Sequence, residues 1–199
     1  MISAFVAGVV AGYGVAIPVG AIGALLISLT ARTSLRVGAA AALGVATADG
    51  LYALAAVLGG AALAKVIEPV ADPMRWAAAI VLAGLAIKTV VDARKQSQRK
   101  EVTARSAYFG LLGLTVLNPA TIIYFGALVL GMQADVVPDL VHGMVFVLGA
   151  LLASASWQLL LAGSGSLVGR VLTGSRGRLV TALVSSGVII VLAVRLVAG

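Results

Sequence analysis

The chain has no cysteine and only one histidine, His142, among its 199 residues. Without thiols it forms no disulfide, no thiolate metal site and no redox-active cysteine pair. Charged residues are also scarce, at 11% of the chain, whereas a soluble domain has about a quarter. A soluble protein with so few charges would have no way to cover its surface with polar groups. The composition therefore excludes a soluble domain.

Apolar residues are abundant, at 61% of the chain, and the mean hydropathy is +1.14. They fall into six runs, most of them long enough to cross a bilayer as a helix. We therefore predict an all-α, polytopic membrane bundle of six transmembrane helices that forms a single domain over residues 1–199. The six runs are Ile2–Leu29, Val37–Ala64, Trp76–Val91, Ala107–Met132, Val141–Leu167 and Leu179–Val197.

The net charge of +7 is concentrated between the apolar runs, which favours contact with anionic lipid headgroups of the bilayer rather than with nucleic acid. Ten of the fourteen basic residues lie in the first, third and fifth loops. By the positive-inside rule these loops are cytoplasmic and both termini lie outside. The ten are Arg32, Arg36, Arg94, Lys95, Arg99, Lys100, Arg105, Arg170, Arg176 and Arg178.

A polar central loop divides the chain into two halves of three spans each. Repeat 1 covers about 1–92, the loop about 93–106 and repeat 2 about 107–199. Because each half crosses the membrane three times, the halves have opposite orientations. They align weakly: an offset of 101 places Pro18 on Pro119 and Gly12 on Gly113, and an offset of 105 places Asp49 on Ser154. Inverted repeats of this kind are typical of transporters with a central binding site.

The first helix is predicted to break at Pro18. Proline has no N–H, so the carbonyl of Gly14 loses its helical partner, and Gly20 favours a turn. In hydrocarbon such a carbonyl needs another partner or a water-filled cavity.

The fourth helix is predicted to break at Asn118 and Pro119. Here Pro119 would free the carbonyl of Thr115, while the Asn118 amide both donates and accepts hydrogen bonds. A simple kink is the alternative for either proline, since transmembrane helices tolerate proline.

Asp49 is the acidic residue placed deepest in an apolar run, about 18 Å from the start of the second span by helical rise. A carboxylate at that depth costs about 3 kcal/mol on insertion scales, so it should face the bundle interior. It would carry a proton or bind a substrate ammonium group; the alternative is a structural hydrogen bond between helices.

Other polar residues fit either packing or a site. Gln158 needs a hydrogen-bond partner in the membrane, either as a contact between helices or as lining of the site. The hydroxyls of Tyr13, Tyr52 and Tyr124 lie on helices that carry the breaks or the acid, with packing as the simpler interpretation. Lys88 fits snorkelling to the cytoplasmic interface, with a place in the transport path as the alternative. Two small-xxx-small pairs, Gly8/Gly12 and Gly165/Gly169, suit close helix packing or a dimer contact.

Enzyme motifs are missing from the sequence. It has no phosphate-binding Walker loop, no cluster of metal ligands and no Ser/His/Asp set. We therefore expect neither an enzyme nor a bound cofactor, and ATP-driven transport by this chain alone is unsupported.

The order of these features resembles the LysE/RhtB family of bacterial amino-acid exporters. The similarity rests on the glycine-rich first helix with Pro18-Val19-Gly20, the basic entry to helix two at 33–38, Asp49 after Gly44, and Asn118-Pro119. It implies a six-helix exporter in the bacterial inner membrane that is driven by the proton or ion gradient and forms a homodimer. It also implies functional roles for Pro18, Gly20, Asn118, Pro119 and Asp49.

The expected function is therefore secondary active export of an amino acid or related small solute. One alternative is a metal-cation exporter of the same superfamily, although hard cations want several oxygen ligands and only one carboxylate is intramembrane. The other is a membrane protein without transport, such as an assembly factor. The predicted site comprises Asp49, Asn118, Pro18, Gly20, Pro119, Gly14, Thr115, Tyr52 and Gln158.

Overall fold

The computed structural model describes residues 1–18, 20–67, 71–95, 102–118, 121, 124, 139–171, 183–184, 186–191 and 194. The regular structure in these residues is helical. Six helices have defined bounds: α1 Ile2–Ala16, α2 Ala21–Arg32, α3 Leu35–Ile67, α4 Ala71–Lys95, α5 Ala104–Val116 and α6 Leu140–Val171.

Two of these helices are long and apolar enough to cross a membrane, through Leu35–Gly59 in α3 and Leu140–Gly169 in α6. The pair α1 and α2 makes a third candidate if it is taken as one bent span. The prediction of an all-helical membrane protein is confirmed. The fourth and sixth predicted spans, Ala107–Met132 and Leu179–Val197, fall partly outside the described residues.

The predicted break in the first helix is confirmed, because α1 and α2 meet at a bend of 77°. The last bond of α1 runs from the Ile17 N–H to the Tyr13 carbonyl, at 2.8 Å. The next donor in the ladder would be Pro18, which has no N–H. Helix α2 begins at Ala21, and the carbonyl of its N-cap residue, Gly20, accepts from the Ala24 N–H at 3.1 Å.

The second predicted break begins where α5 ends, at Val116. One detail of that prediction was wrong: the Thr115 carbonyl is not free, because it accepts from the Asn118 N–H at 2.9 Å. After α5 the backbone forms a hydrogen bond between residues three apart, as in a 3₁₀ turn. Such bonds commonly satisfy carbonyls at a helix end. Pro119 lies outside the described residues, and the backbone is helical again at Thr121 and Tyr124.

Helix α6 packs along both parts of the broken helix through glycines. A Cβ on any of them would overlap the opposing backbone, so the helices approach closely and no dimer contact is needed to explain the two small-xxx-small pairs. In four of these contacts the partners differ by 138 in residue number, so residue numbers rise in the same direction along α6 and along each part of the broken helix. The four contacts are Gly8 with Phe146, Gly12 with Ala150, Ile27 with Gly165, and Ala31 with Gly169.

Helix α5 packs on α3 in a mirrored arrangement. Gly44 of α3 lies against the Tyr108 carbonyl and Leu112 N–H, just as Gly149 of α6 lies against the Phe5 carbonyl and Val9 N–H. The corresponding residues of the two contacts differ by 105 between α3 and α6 and by 103 between α1 and α5. Gly113, which the sequence alignment placed on Gly12, faces open space.

The core lies between these helices in two apolar clusters. The larger cluster contains side chains from each of the helices α2, α3, α4, α5 and α6 and from the C-terminal residues. Examples are Leu26, Leu82, Leu114 and Ile189. The smaller surrounds Phe146 where α1, α3 and α6 meet. The outer faces carry exposed Leu, Ile and Val side chains, as expected of surfaces that contact lipid.

Candidate functional site

Asp49 is buried at mid-depth, where α3 crosses α6. It is 2% exposed, and its Oδ2 accepts a hydrogen bond of 2.6 Å from the hydroxyl of Ser154. Both residues lie fourteen positions after the first residue of their helices, Leu35 and Leu140, which is about 21 Å along each axis. Two positions that the sequence alignment pairs at an offset of 105 therefore contact one another.

Tyr52 connects the helix of Asp49 to the second break. Its hydroxyl donates to the carbonyl of Val116, the final residue of α5. Carbonyls in the last turn of a helix have no partner within the helix, so this bond satisfies one of them. Tyr52 lies three residues after Asp49, on nearly the same face of α3. The side chain therefore holds the α5 terminus close to the acid.

Two further tyrosines lie at the end of α1. The hydroxyls of Tyr13 and Ser156 are 2.9 Å apart, which links α1 to α6 just before the first break. The hydroxyl of Tyr124 lies against Gly14, where a Cβ would overlap it. A residue that follows the second break therefore touches the helix end at the first break. The structure thus brings the two interrupted regions together.

Two polar side chains of the second break form hydrogen bonds with neighbours in the sequence. The Thr115 hydroxyl donates to the Leu111 carbonyl at 2.7 Å, and the Asn118 amide donates to the Thr121 hydroxyl at 3.2 Å. Thr115 is buried and Asn118 is half-buried.

Gln158 is buried, at 6% exposure, and sits next to Trp157 on α6. The Gln158 Oε1 and Trp157 Nε1 atoms are both buried and have no hydrogen-bond partner. An unpaired buried polar atom costs about 1–3 kcal/mol, so each of these two atoms lowers the stability of the fold. At the first break itself, Pro18 and Gly20 are exposed and Gly14 is half-buried.

Lys88 is exposed on α4, consistent with the snorkelling interpretation. No group of three or more His, Asp or Glu side chains comes together within the described ranges. The contacts of Asp49, Tyr52 and Tyr13 described above involve helices α1, α3, α5 and α6.

Ser154 was absent from the predicted set of site residues. The signal for it was present in the offset of 105, which places Ser154 opposite Asp49. Residues related by an inverted repeat meet when they lie near its axis, so the alignment itself could have identified the partner.

The family model of the LysE type translocators matches residues 14–199 of the chain. This range runs from the end of α1 to the last residue and includes both breaks, Asp49, Ser154 and Gln158. No individual curated protein and no solved structure matches the chain. Apolar helices of membrane-spanning length agree with the family match. The chain is a membrane protein that belongs to the LysE type translocator family.

Proposed function

We propose that the chain is a secondary active exporter of an amino acid or related small solute across the bacterial inner membrane. The observation that carries the proposal is the buried Asp49 carboxylate, held at mid-depth by Ser154 between the two longest helices. Burying an acid in the membrane is costly, and such residues are retained where a proton, an ion or a substrate is handled. Membership of a translocator family supports the same conclusion.

In this mechanism Asp49 binds the ammonium group of the solute or carries the coupling proton. Ser154 orients the carboxylate in the empty protein and gives up its hydrogen bond when the ligand donates instead. The α1–α2 break and the α5 end supply backbone groups and allow neighbouring segments to move. The interruptions belong to opposite halves, so one can open towards each side of the membrane in turn.

We also propose the finer architecture: six spans in two inverted repeats, with broken helices 1 and 4 and both termini outside. The mirrored contacts of Gly44 and Gly149, and the equal lead-in from Leu35 to Asp49 and from Leu140 to Ser154, support it. A homodimer remains part of the proposal. Its interface would lie away from the glycine pairs, which pack within the chain.

The test is growth protection. Cells that express the chain are challenged with single amino acids, amino-acid analogues and metal salts, and solute efflux is measured. The Asp49→Asn variant should lower efflux by about tenfold or more, since a charge-assisted hydrogen bond contributes about 1.5–3 kcal/mol. The amount of protein in the membrane should be unchanged.

The matched control is Asp139→Asn, the same chemical change at an exposed acid just before α6. It should keep efflux within about twofold of the unaltered chain, because surface substitutions have small effects. Near-normal efflux from Asp49→Asn would remove the acid from the mechanism. Protection against metal salts alone would favour the metal-cation alternative, and no protection against any solute would favour an assembly role.

A further inference from the structure

The side chain of Trp157 carries a buried donor without an acceptor. Its indole Nε1 atom is buried and has no hydrogen-bond partner among the residues that the structure describes. An indole can only donate, and leaving its N–H unpaired away from water is unfavourable. The hydroxyl of Ser156, one position earlier, is paired, because it donates to the Ala153 carbonyl at 2.8 Å. The indole N–H thus differs from its neighbour in having no acceptor.

Helix α3 carries a side-chain donor that does have an acceptor. Gly44 of α3 lies against the carbonyl of Tyr108 on α5. Eight residues further along each helix, the Tyr52 hydroxyl donates to the carbonyl of Val116, the last residue of α5. Carbonyls in the last turn of a helix lack partners within the helix. A donor on α3 therefore satisfies the end of the helix beside it.

The same steps along α6 and α1 lead to the indole. Gly149 of α6 lies against the carbonyl of Phe5 on α1. Eight residues further along each helix are Trp157 and Tyr13. The hydroxyls of Tyr13 and Ser156 are 2.9 Å apart, so this part of α6 lies beside the end of α1. The Tyr13 carbonyl is therefore the acceptor that corresponds, in this pair of helices, to the one bound in the other pair.

That acceptor is already occupied. The Tyr13 carbonyl accepts from the Ile17 N–H at 2.8 Å, in the last bond of α1 before Pro18. When this last turn opens, the carbonyl loses the Ile17 N–H and becomes available to the Trp157 indole, so the number of bonds to it is unchanged. The buried N–H is paired at the same time, which offsets the cost of opening. A small difference in free energy allows both conformations to be populated.

We propose that the exporter has a second conformation in which the last turn of α1 is open and Trp157 donates to the Tyr13 carbonyl. In the conformation described above, Tyr52 binds the end of α5 while α1 closes on itself. Trp157 is thus a positioning residue that acts by holding α1 open at the first break. The proposal rests on the proposed function in requiring a transporter that changes conformation, and it does not depend on the identity of the solute.

The first test measures the hydrogen bond of the indole directly. The chain contains two tryptophans, so a ¹⁵N–¹H spectrum of the full chain in lipid nanodiscs has two indole signals, and Trp76→Phe removes the other one. Ile17→Pro deletes the competing N–H and should move the Trp157 indole proton downfield, as hydrogen bonding does. Ile17→Ala is the matched control, because it keeps the N–H and should leave the signal in place.

The second test asks whether transport uses the open conformation. Trp157→Phe and Trp157→Tyr remove the same indole and differ by one hydroxyl, which can donate as that of Tyr52 does. Efflux of L-lysine and of L-threonine, a basic and a neutral amino acid, is measured from loaded cells. Trp157→Phe should export about two- to tenfold more slowly than Trp157→Tyr, the factor expected for one neutral hydrogen bond. Trp76→Phe, at an exposed position of α4, should keep efflux within about twofold.

The two tests separate this proposal from the proposed function. An indole signal that stays in place in Ile17→Pro would overturn the open conformation, whether or not the chain exports an amino acid. Equal efflux from Trp157→Phe and Trp157→Tyr, in a chain that is otherwise active, would also overturn it, because packing alone would then account for the indole. A shifted signal in a chain that exports neither amino acid would support the open conformation and count against the proposed solute. Should Ile17→Pro fail to fold, the efflux of the two Trp157 variants decides.

Discussion

At the scale of single residues, the Asp49–Ser154 hydrogen bond is the central interaction of the molecule. It joins two positions that each lie fourteen residues after the first residue of their helix, on α3 and α6. If the two halves are the inverted repeats that we propose, the partners of an interaction on their axis can be exchanged.

Exchanging the two side chains is therefore a sharp test. Asp49→Ser alone should abolish efflux, and Ser154→Asp alone should destabilise the protein by placing two carboxylates in contact. The double variant should recover efflux to within about fivefold of the unaltered chain, because the coupled pair is restored. Efflux is measured at equal amounts of protein in the membrane. A double variant as inactive as Asp49→Ser would show that the two halves are not interchangeable at this position.

Sequence reasoning works at this scale where the cause is local. Pro18 lacks an N–H whatever surrounds it, so the end of α1 was predictable, as was the burial of Asp49. Thr115 was predicted wrongly because the closing bond from Asn118 depends on how tightly the last turn winds. The unpaired atoms of Trp157 and Gln158 were beyond prediction, since having no partner is a property of the folded neighbourhood.

At the scale of elements, glycines decide how closely the broken helix approaches α6. The Ala150 carbonyl lies where a Cβ on Gly12 would be, whereas nothing lies within 4 Å at Gly113. Small residues let transmembrane helices pack through backbone contacts, which replaces the hydrophobic effect that drives packing in water. The same residue type thus has different importance at the two positions.

Alanine substitution should affect the stability of the protein differently at Gly12 and at Gly113. Gly12→Ala should destabilise the protein by about 1–3 kcal/mol, because the opposing backbone must move. Gly113→Ala should be neutral or stabilising by up to about 1 kcal/mol, because alanine is the better helix former. Thermal unfolding of the purified protein in detergent measures both. Equal melting temperatures for the two variants would contradict the close contact of α1 with α6.

A titratable side chain, Asp139, caps the start of α6. The Asp139 carboxylate accepts from the backbone N–H of His142 at 2.8 Å and contacts the His142 ring at 2.9 Å. These bonds, the backbone one first, lower the pKa of Asp139 below its ordinary value of 3.8. A lowered pKa in the folded state means that the stabilising effect is complete above 3.8 and is lost as the pH falls through the folded value.

Asp139→Ala should therefore melt at a lower temperature than the unaltered chain at neutral pH, and the difference should shrink in acid. Asp139→Asn is the control, since asparagine also caps a helix but does not titrate. The melting temperatures are compared from neutral pH down to about 3, below the ordinary pKa of the carboxyl. A difference between the unaltered chain and Asp139→Ala that stays constant across this range would rule out the capping bond as its cause.

At the scale of the whole molecule, the contact of Gly44 with α5 resembles the contact of Gly149 with α1. The offset of 105 between the two glycines could be read from the sequence, because glycines and Asp49 mark it. The offset of 103 between the residues that face them could not, because the two prolines suggested 101. The overall class was readable from composition alone, whereas the pairing of helices required the structure.

Orientation can be tested directly, since the chain has no cysteine to replace. Single cysteines are introduced at Thr33, between α2 and α3, and at Leu140, the exposed first residue of α6. In intact spheroplasts, a membrane-impermeant maleimide should label the Leu140→Cys variant and should leave Thr33→Cys unlabelled until the membrane is permeabilised. The reverse pattern would place both termini in the cytoplasm.

The glycine contacts on both sides of the first break have a mechanical consequence. Because the backbones of α1 and α2 both press against α6, a change in the 77° angle between them must displace one of the two contacts or bend α6. The hydroxyls of Tyr13 and Ser156 join α1 to α6 between those contacts. Movement at Pro18 is therefore transmitted to the middle of α6.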